Sequence, residues 1–239
     1  MLVSADFRER ARNALSGNWG VAVGTGFVAS LLGAYTAFSN SGGGSSSSSD
    51  VSEEDMEVIA QQLPAEVWMT IAAVLGIIAI VAVVYAIVTL IIGGPVTLGY
   101  VKFNLDMVNG YRPSFSDLFS QFGRFKEAFV MQLLRSIFIF LWSLLLVIPG
   151  IIATFSYAMA PYILYENPGM SASDAIAASK QMMDGNKWRL FCLNFSFIGW
   201  SILSVFTLGI LNLWLIPYME ASYAAFYEEL KREQFVISS

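Results

Sequence analysis

Apolar runs about twenty residues long alternate with short polar stretches along the chain. An α-helix rises about 1.5 Å per residue, so about 20 apolar residues cross a hydrocarbon layer roughly 30 Å thick. Trp19–Phe38, Val67–Ile92 and Ala128–Val147 meet that length, and Val67–Ile92 is long enough to tilt or to extend past the lipid. A shorter run, Ile151–Tyr165, follows the turn "VIPG", and Arg189–Phe206 and Gly209–Tyr227 bring the expected spans to six. The turns "VIPG" and "TLG" are short enough to force tight antiparallel hairpins. The pattern predicts an all-α polytopic membrane protein: one membrane domain over residues 1–239, with six transmembrane helices arranged as three hairpins.

Between the runs lie segments that look like short helices of a soluble protein. Ser114-x-x-Asp117 and Ser171-x-x-Asp174 fit a capping-box-like start, in which side-chain oxygens satisfy the N–H groups of the first turn. Behind them, Leu118, Phe119, Phe122 and Phe125 predict one apolar face, and Ala175, Ile176, Ser179, Met182 and Met183 another. Helices of this kind lie in the membrane interface or cap a bundle from below. Tyr100, Ser114, Ser116 and Asp117 recur as Tyr157, Ser171, Ser173 and Asp174 at a constant offset of 57. A sparser echo links Asp6 and Gly17-Asn18 to Asp174 and Gly185-Asn186. The reading is three repeat units, about 1–108, 109–166 and 167–239, each a short cytoplasmic amphipathic helix followed by a hairpin, with pseudo-threefold symmetry about the membrane normal.

Composition strengthens the membrane reading. Hydrophobic residues make up 56% of the chain and charged residues 13%, about half the usual charged share of a soluble domain; mean hydropathy is +0.62. Lys and Arg orient the spans. Arg8, Arg10 and Arg12 precede the first span, and Lys102, Arg112, Arg124 and Lys126 lie in the second connection. Lys180, Lys187 and Arg189 lie in the fourth connection, and Lys231 and Arg232 in the tail. The remaining basic residue is Arg135, inside a span. Both termini are therefore expected in the cytoplasm, with a retained N-terminal segment. Residues 39–66 carry Asp50, Glu53, Glu54, Asp55, Glu57 and Glu66 without a Lys or Arg, and form an expected flexible, Ser/Gly-rich, acidic extracellular loop. That loop lacks the Asp-x-Asp-x-Asp-Gly order of a calcium site. No basic patch points to nucleic acid. With no histidine and Cys192 as the single cysteine, an intramolecular disulfide and a Cys-based zinc site are excluded.

"GNW" near the start, the run from Ile148 to Phe191, "FSFIGW" and "LWLIPYMEASYAAFY" resemble the bacterial integral membrane proteins catalogued as domain of unknown function number 975. The resemblance extends over nearly the whole chain and is most specific between Ile148 and Trp200. It implies six spans in a bacterial, often Gram-positive, cytoplasmic membrane. It implies no established activity, and no functional residue is carried over from it.

Ionisable groups inside spans are costly and mark candidate sites. Arg135 and Glu220 each fall about 10 Å in from the expected cytoplasmic face and are predicted to pair. Gln132 and Asn194 lie near the same level and would extend the cluster. Such a pair either fixes helix packing or couples to a proton or substrate. Gly20-x-x-x-Gly24, with Gly26 and Gly33, predicts a smooth face for close helix approach. Pro95, Pro149 and Pro217 sit at or inside span ends, and Trp19, Trp68, Trp188 and Tyr227 are expected interface anchors. No Ser/His/Asp set, metal motif or phosphate loop occurs, so neither an enzyme nor a cofactor is expected. Two functional classes follow. One is a non-catalytic module that binds a membrane lipid, a membrane-active peptide or another membrane protein within the bilayer. The other is a small transporter or channel using the Arg135/Glu220 pair.

Overall fold

A computed structural model describes residues 3–32, 65–145, 147–207 and 209–238, and these are all-α, without a strand. The helices are α1 (Ser4–Leu15), α2 (Trp19–Leu31), α3 (Ala65–Val108), α4 (Phe125–Leu145), α5 (Val147–Ser156) and α6 (Ala160–Glu166). They continue with α7 (Ala172–Met182), α8 (Lys187–Phe195), α9 (Ile198–Phe206) and α10 (Asn212–Ser238). Two 3-10 turns, Phe115–Phe119 and Phe122–Arg124, precede α4. The acidic loop and Gly33 lie outside the described residues, apart from the loop's last two positions, which open α3.

Local chemistry explains the helix starts. An acid at the third position takes up a backbone donor that the first turn leaves over. The Asp6 carboxylate accepts the Val3 N–H at 2.8 Å, and Asp117 accepts the Ser114 N–H at 2.7 Å. At α7 the Ser171 hydroxyl accepts the Asp174 N–H at 3.2 Å. Both α1 and α7 run into a Gly-Asn stop whose glycine is left-handed, Gly17 at φ +84° and Gly185 at +75°, a conformation that costs glycine little.

The apolar face expected on α7 is the one it buries: Ala175, Ile176, Ser179, Met182 and Met183. Ser179 also ties α7 to a break between α5 and α6. Its hydroxyl donates to the Ser156 carbonyl at 2.8 Å and accepts the Met159 N–H at 3.2 Å. The preceding polar segment forms two 3-10 turns in place of the expected amphipathic α-helix. Leu118 is buried, whereas Phe119, Phe122 and Phe125 are 41%, 38% and 37% exposed. In 3-10 turns side chains three apart eclipse, so Phe119 and Phe122 remain neighbours, with ring centroids 6.0 Å apart, while Leu118 is the one of the four that is buried.

Four described helical stretches are long and apolar enough to cross a membrane: Val67–Thr89, Phe115–Leu144, Ile148–Glu166 and Lys187–Phe206. Of the first expected span, Trp19–Leu31 forms the apolar helix α2 and residues 33–38 lie outside the described residues; the sixth forms the start of a helix that continues past Tyr227 to Ser238. Spans four and five are each divided in two, around Tyr157–Met159 and Ser196–Phe197. The second expected span, Val67–Ile92, is matched by the apolar stretch Val67–Thr89, and the helix that carries it continues beyond that stretch. Helix α3 runs for 44 residues through Pro95, about 66 Å.

Packing changes along these spans. In α3, residues 67–91 are mostly exposed, and from Gly93 to Met107 the helix is almost continuously buried. Helix α4 buries Ala128, Met131 and Arg135 but exposes Ile137, Phe140, Leu141 and Leu144. Ile148, Ile151 and Ile152 are exposed, whereas Met159 to Leu164 are buried; Val205 and Phe206 are exposed, whereas Leu190 and Leu193 are buried. Helices therefore converge at one end and leave an apolar collar at the other, as expected for surface that meets lipid.

Close backbone approach is achieved at glycines other than those expected. A Cβ on Gly99 would lie 2.0 Å from the Leu118 carbonyl oxygen, and one on Gly94 would lie 2.6 Å from that of Ala128. Helix α2 packs through Ala22, Thr25, Gly26 and Ala29. Gly20 and Gly24 fall off that stripe at 100° per residue, and a Cβ on either would meet nothing within 4 Å. Among the described residues the expected Gly20-x-x-x-Gly24 contact face is thus not used; Gly26 is, against the Tyr100 hydroxyl and Pro217.

Candidate functional site: a buried polar cluster and an open groove

Arg135 reaches the interior because it continues the buried stripe of Ala128 and Met131 on α4. Glu220 lies on the part of α10 that is buried on all sides, and the two residues are 3% and 1% exposed. They lie within electrostatic reach of each other. Three fully buried tyrosines share the Glu220 field: Tyr100 from α3, Tyr162 from α6 and Tyr223 from α10. Asn194 joins the cluster through Tyr223, whose hydroxyl donates to the Asn194 side-chain oxygen at 2.5 Å. Gln132 stands nearly one turn before Arg135, with its amide oxygen buried and without a hydrogen-bond partner. Among the described residues the Tyr162 and Thr25 hydroxyls and two Arg135 nitrogens are likewise buried without such a partner.

The tyrosines are what the sequence reading missed. Their spacing matches ordinary span aromatics, and nothing in one dimension separates a tyrosine aimed at a charge from one aimed at lipid. Tyr227 illustrates the converse error. Expected as an interface anchor, it is 2% exposed, stacks on Tyr162 with centroids 5.2 Å apart, and donates to Glu166 at 2.8 Å. Trp68 and Trp188 are 43% and 70% exposed, as interface anchors would be.

A layer of ion pairs lies at the end where the helices converge. The C-terminal part of α10 gathers much of it: Glu229 with Arg10 at 3.1 Å, Glu233 with both terminal nitrogens of Arg189 at 2.8 and 3.1 Å, and Lys231 with Glu166 at 2.6 Å. Arg124 donates to the last carbonyls of α6, those of Leu164 and Tyr165. Lys102, beyond the apolar part of α3, donates to Asp117 and lies 3.8 Å from Asp106. Burial pulls the Lys102 pKa down, but the Asp117 hydrogen bond and the charges of Asp117 and Asp106 outweigh it, leaving the ammonium above its ordinary value. Burial raises the Asp106 pKa, and Lys102 offsets this in part.

Apart from these contacts, a groove of about 460 Å³ opens between α1, α9 and α10. Trp19, Trp200, Trp214 and Tyr218 supply aromatic walls, and Arg8, Glu9 and Arg12 line it from α1. Its volume falls in the range of small-molecule sites, about 300–1,000 Å³. Among the described residues no group of three His, Cys, Asp or Glu side chains is placed to hold a metal ion.

An all-α chain with four helices fit to cross a membrane, a buried Arg/Glu cluster and a tryptophan-lined groove defines a class of membrane protein. Residues 144–234 match the family described as protein of unknown function (DUF975). That shows the resemblance over α5 to α10, a narrower extent than the nearly whole chain expected. Asn194, Glu220, Tyr223 and the α10 ion pairs fall inside the matched segment; Gln132, Arg135 and α1 fall before it. No curated protein and no solved structure matches the chain.

Proposed function

We propose that this chain is a non-catalytic protein of a bacterial cytoplasmic membrane that binds an amphiphile (a lipid, a membrane-active peptide or an apolar face of another membrane protein) within the bilayer. The observation that carries the reading is the tryptophan-lined groove between α1, α9 and α10. It opens where Trp200 and Trp214 are half exposed beside the apolar collar, so an acyl chain or apolar helix could enter from the side. In the arrangement proposed, six spans form three hairpins with both termini cytoplasmic, and a short polar segment introduces each hairpin. The equivalent acids Asp6, Asp117 and Asp174 at the three starts support that three-unit plan, as do the left-handed Gly17 and Gly185.

Purified full-length chain in lipid nanodiscs tests the binding reading. Native mass spectrometry should find co-purified phospholipid that survives detergent exchange, and Trp200→Ala with Trp214→Ala should deplete it. Saturable solute flux in proteoliposomes that Glu220→Gln abolishes would replace this reading with a second. That second reading is a small transporter or channel, and the buried polar atoms around Arg135 favour it, since a charged group in a span is otherwise expensive.

A further inference from the structure

We infer that the groove between α1, α9 and α10 is a site for a singly anionic phospholipid, with Arg8 and Arg12 holding the phosphodiester and the tryptophan walls holding an acyl chain. The inference rests on the binding reading above and names its ligand class. Three arginines lie on α1, and they divide by direction. Arg10 turns to α10 and pairs with Glu229 at 3.1 Å. Arg8 and Arg12, one turn apart and so on one face, line the groove, and among the described residues neither makes an ion pair. The Arg8 Nε is buried and has no hydrogen-bond partner. Both arginines line the groove together with Tyr218 of the facing helix, and both lie within electrostatic reach of its hydroxyl.

A guanidinium presents planar donors that match phosphate oxygens, and two of them a turn apart can share one phosphate. Glu9 also lines the groove. It lowers the local balance to one net positive charge, suited to a single negative phosphodiester, and can accept from the hydroxyls of a neutral polyol headgroup. Basic pockets between helices on the cytoplasmic side are where anionic headgroups bind, with about 1 kcal/mol for each Lys or Arg near the surface.

The test uses the full-length protein in detergent with phosphatidylglycerol or phosphatidylcholine added, read by native mass spectrometry. Wild type should retain phosphatidylglycerol about thirtyfold better, the size set by two such arginines at about 1 kcal/mol each. R8Q/R12Q should remove the preference, R10Q should leave it, and E9Q should increase it. Equal retention of the two lipids by wild type, or a preference that R8Q/R12Q leaves intact, overturns the inference while the broader binding reading stands. Retention of neither lipid overturns both. Displacement of bound phosphatidylglycerol by millimolar inorganic phosphate would mean that the arginines serve a free anion, and would also overturn the inference. If R8Q/R12Q fails to fold, R8K/R12K decides: loss of bidentate geometry should weaken the preference without abolishing it.

Discussion

Arg135 and Glu220 are the residues on which packing and function are hardest to separate. A buried charge whose partner is removed loses its compensation, which typically costs about 3–5 kcal/mol, whereas removing both charges together often costs little. Arg135→Leu should therefore destabilise the chain by about that amount in reversible unfolding in mixed detergent micelles, and R135L/E220L should recover most of the loss. A double variant no more stable than R135L would show that the two residues do not act as a pair. Lys102 gives a second residue-scale expectation, with a defined sign. Its folded-state pKa is raised, so its stabilising contribution is complete below the ordinary value of 10.5 and is lost as pH climbs through the folded value. Because its side chain is 24% exposed, the pair is worth at most about 1 kcal/mol. The melting-temperature difference between wild type and K102Q should be level from about pH 7 to 9 and shrink above 10.5; a difference that grows there would contradict the assignment.

At the scale of elements, the close approach of α3 to the 3-10 turn fixes where the polar segment sits. Gly99→Ala would place a methyl 2.0 Å from the Leu118 carbonyl oxygen, and neither backbone can yield cheaply. Overpacking of this kind costs about 1–3 kcal/mol, so G99A should lower the melting temperature clearly. Gly20→Ala and Gly24→Ala face open space, and replacing a mid-helix glycine by alanine favours the helix by up to about 1 kcal/mol, so both should be neutral or stabilising. A clear loss in G24A would indicate a helix contact made through that face. The contrast marks what was legible in the sequence. Helix α7 was readable, because its cap and its 3.6-residue period agree. The Phe115–Arg124 segment was not, because a phenylalanine spacing of three fits an α-helix and a 3-10 turn alike, and the close approach to Gly99 leaves no mark on that spacing. Glycine spacing showed where helices could approach, and the register of α2 decided that Gly26 does so while Gly20 and Gly24 do not.

For the whole molecule, apolar run length made the helices legible, and the basic residues suggested an orientation. The run lengths could not reveal that α3 continues past Ile92, since its second part carries Lys102, Asn104 and Asp106 among apolar residues and so lies beyond the apolar run. That Arg135 and Glu220 lie within electrostatic reach was legible from equal depth; the tyrosines around them, supplied by three helices, were not. The bare stretch of α3 now makes the six-span topology a sharp question. If residues 67–92 cross the membrane, the preceding loop and the second connection face opposite sides; if that stretch lies along the surface, they share one. Cys192 is the single native thiol, so a C192S background allows one thiol at a time to be placed. Ser47→Cys marks the acidic loop, Tyr111→Cys the second connection, where the native side chain is 68% exposed, and Ser238→Cys the tail. A membrane-impermeant maleimide applied to intact cells should label the first alone, and inverted vesicles should label the other two alone. Labelling of Ser47→Cys and Tyr111→Cys from the same side would mean that α3 does not cross, and the three-hairpin plan would fall with it.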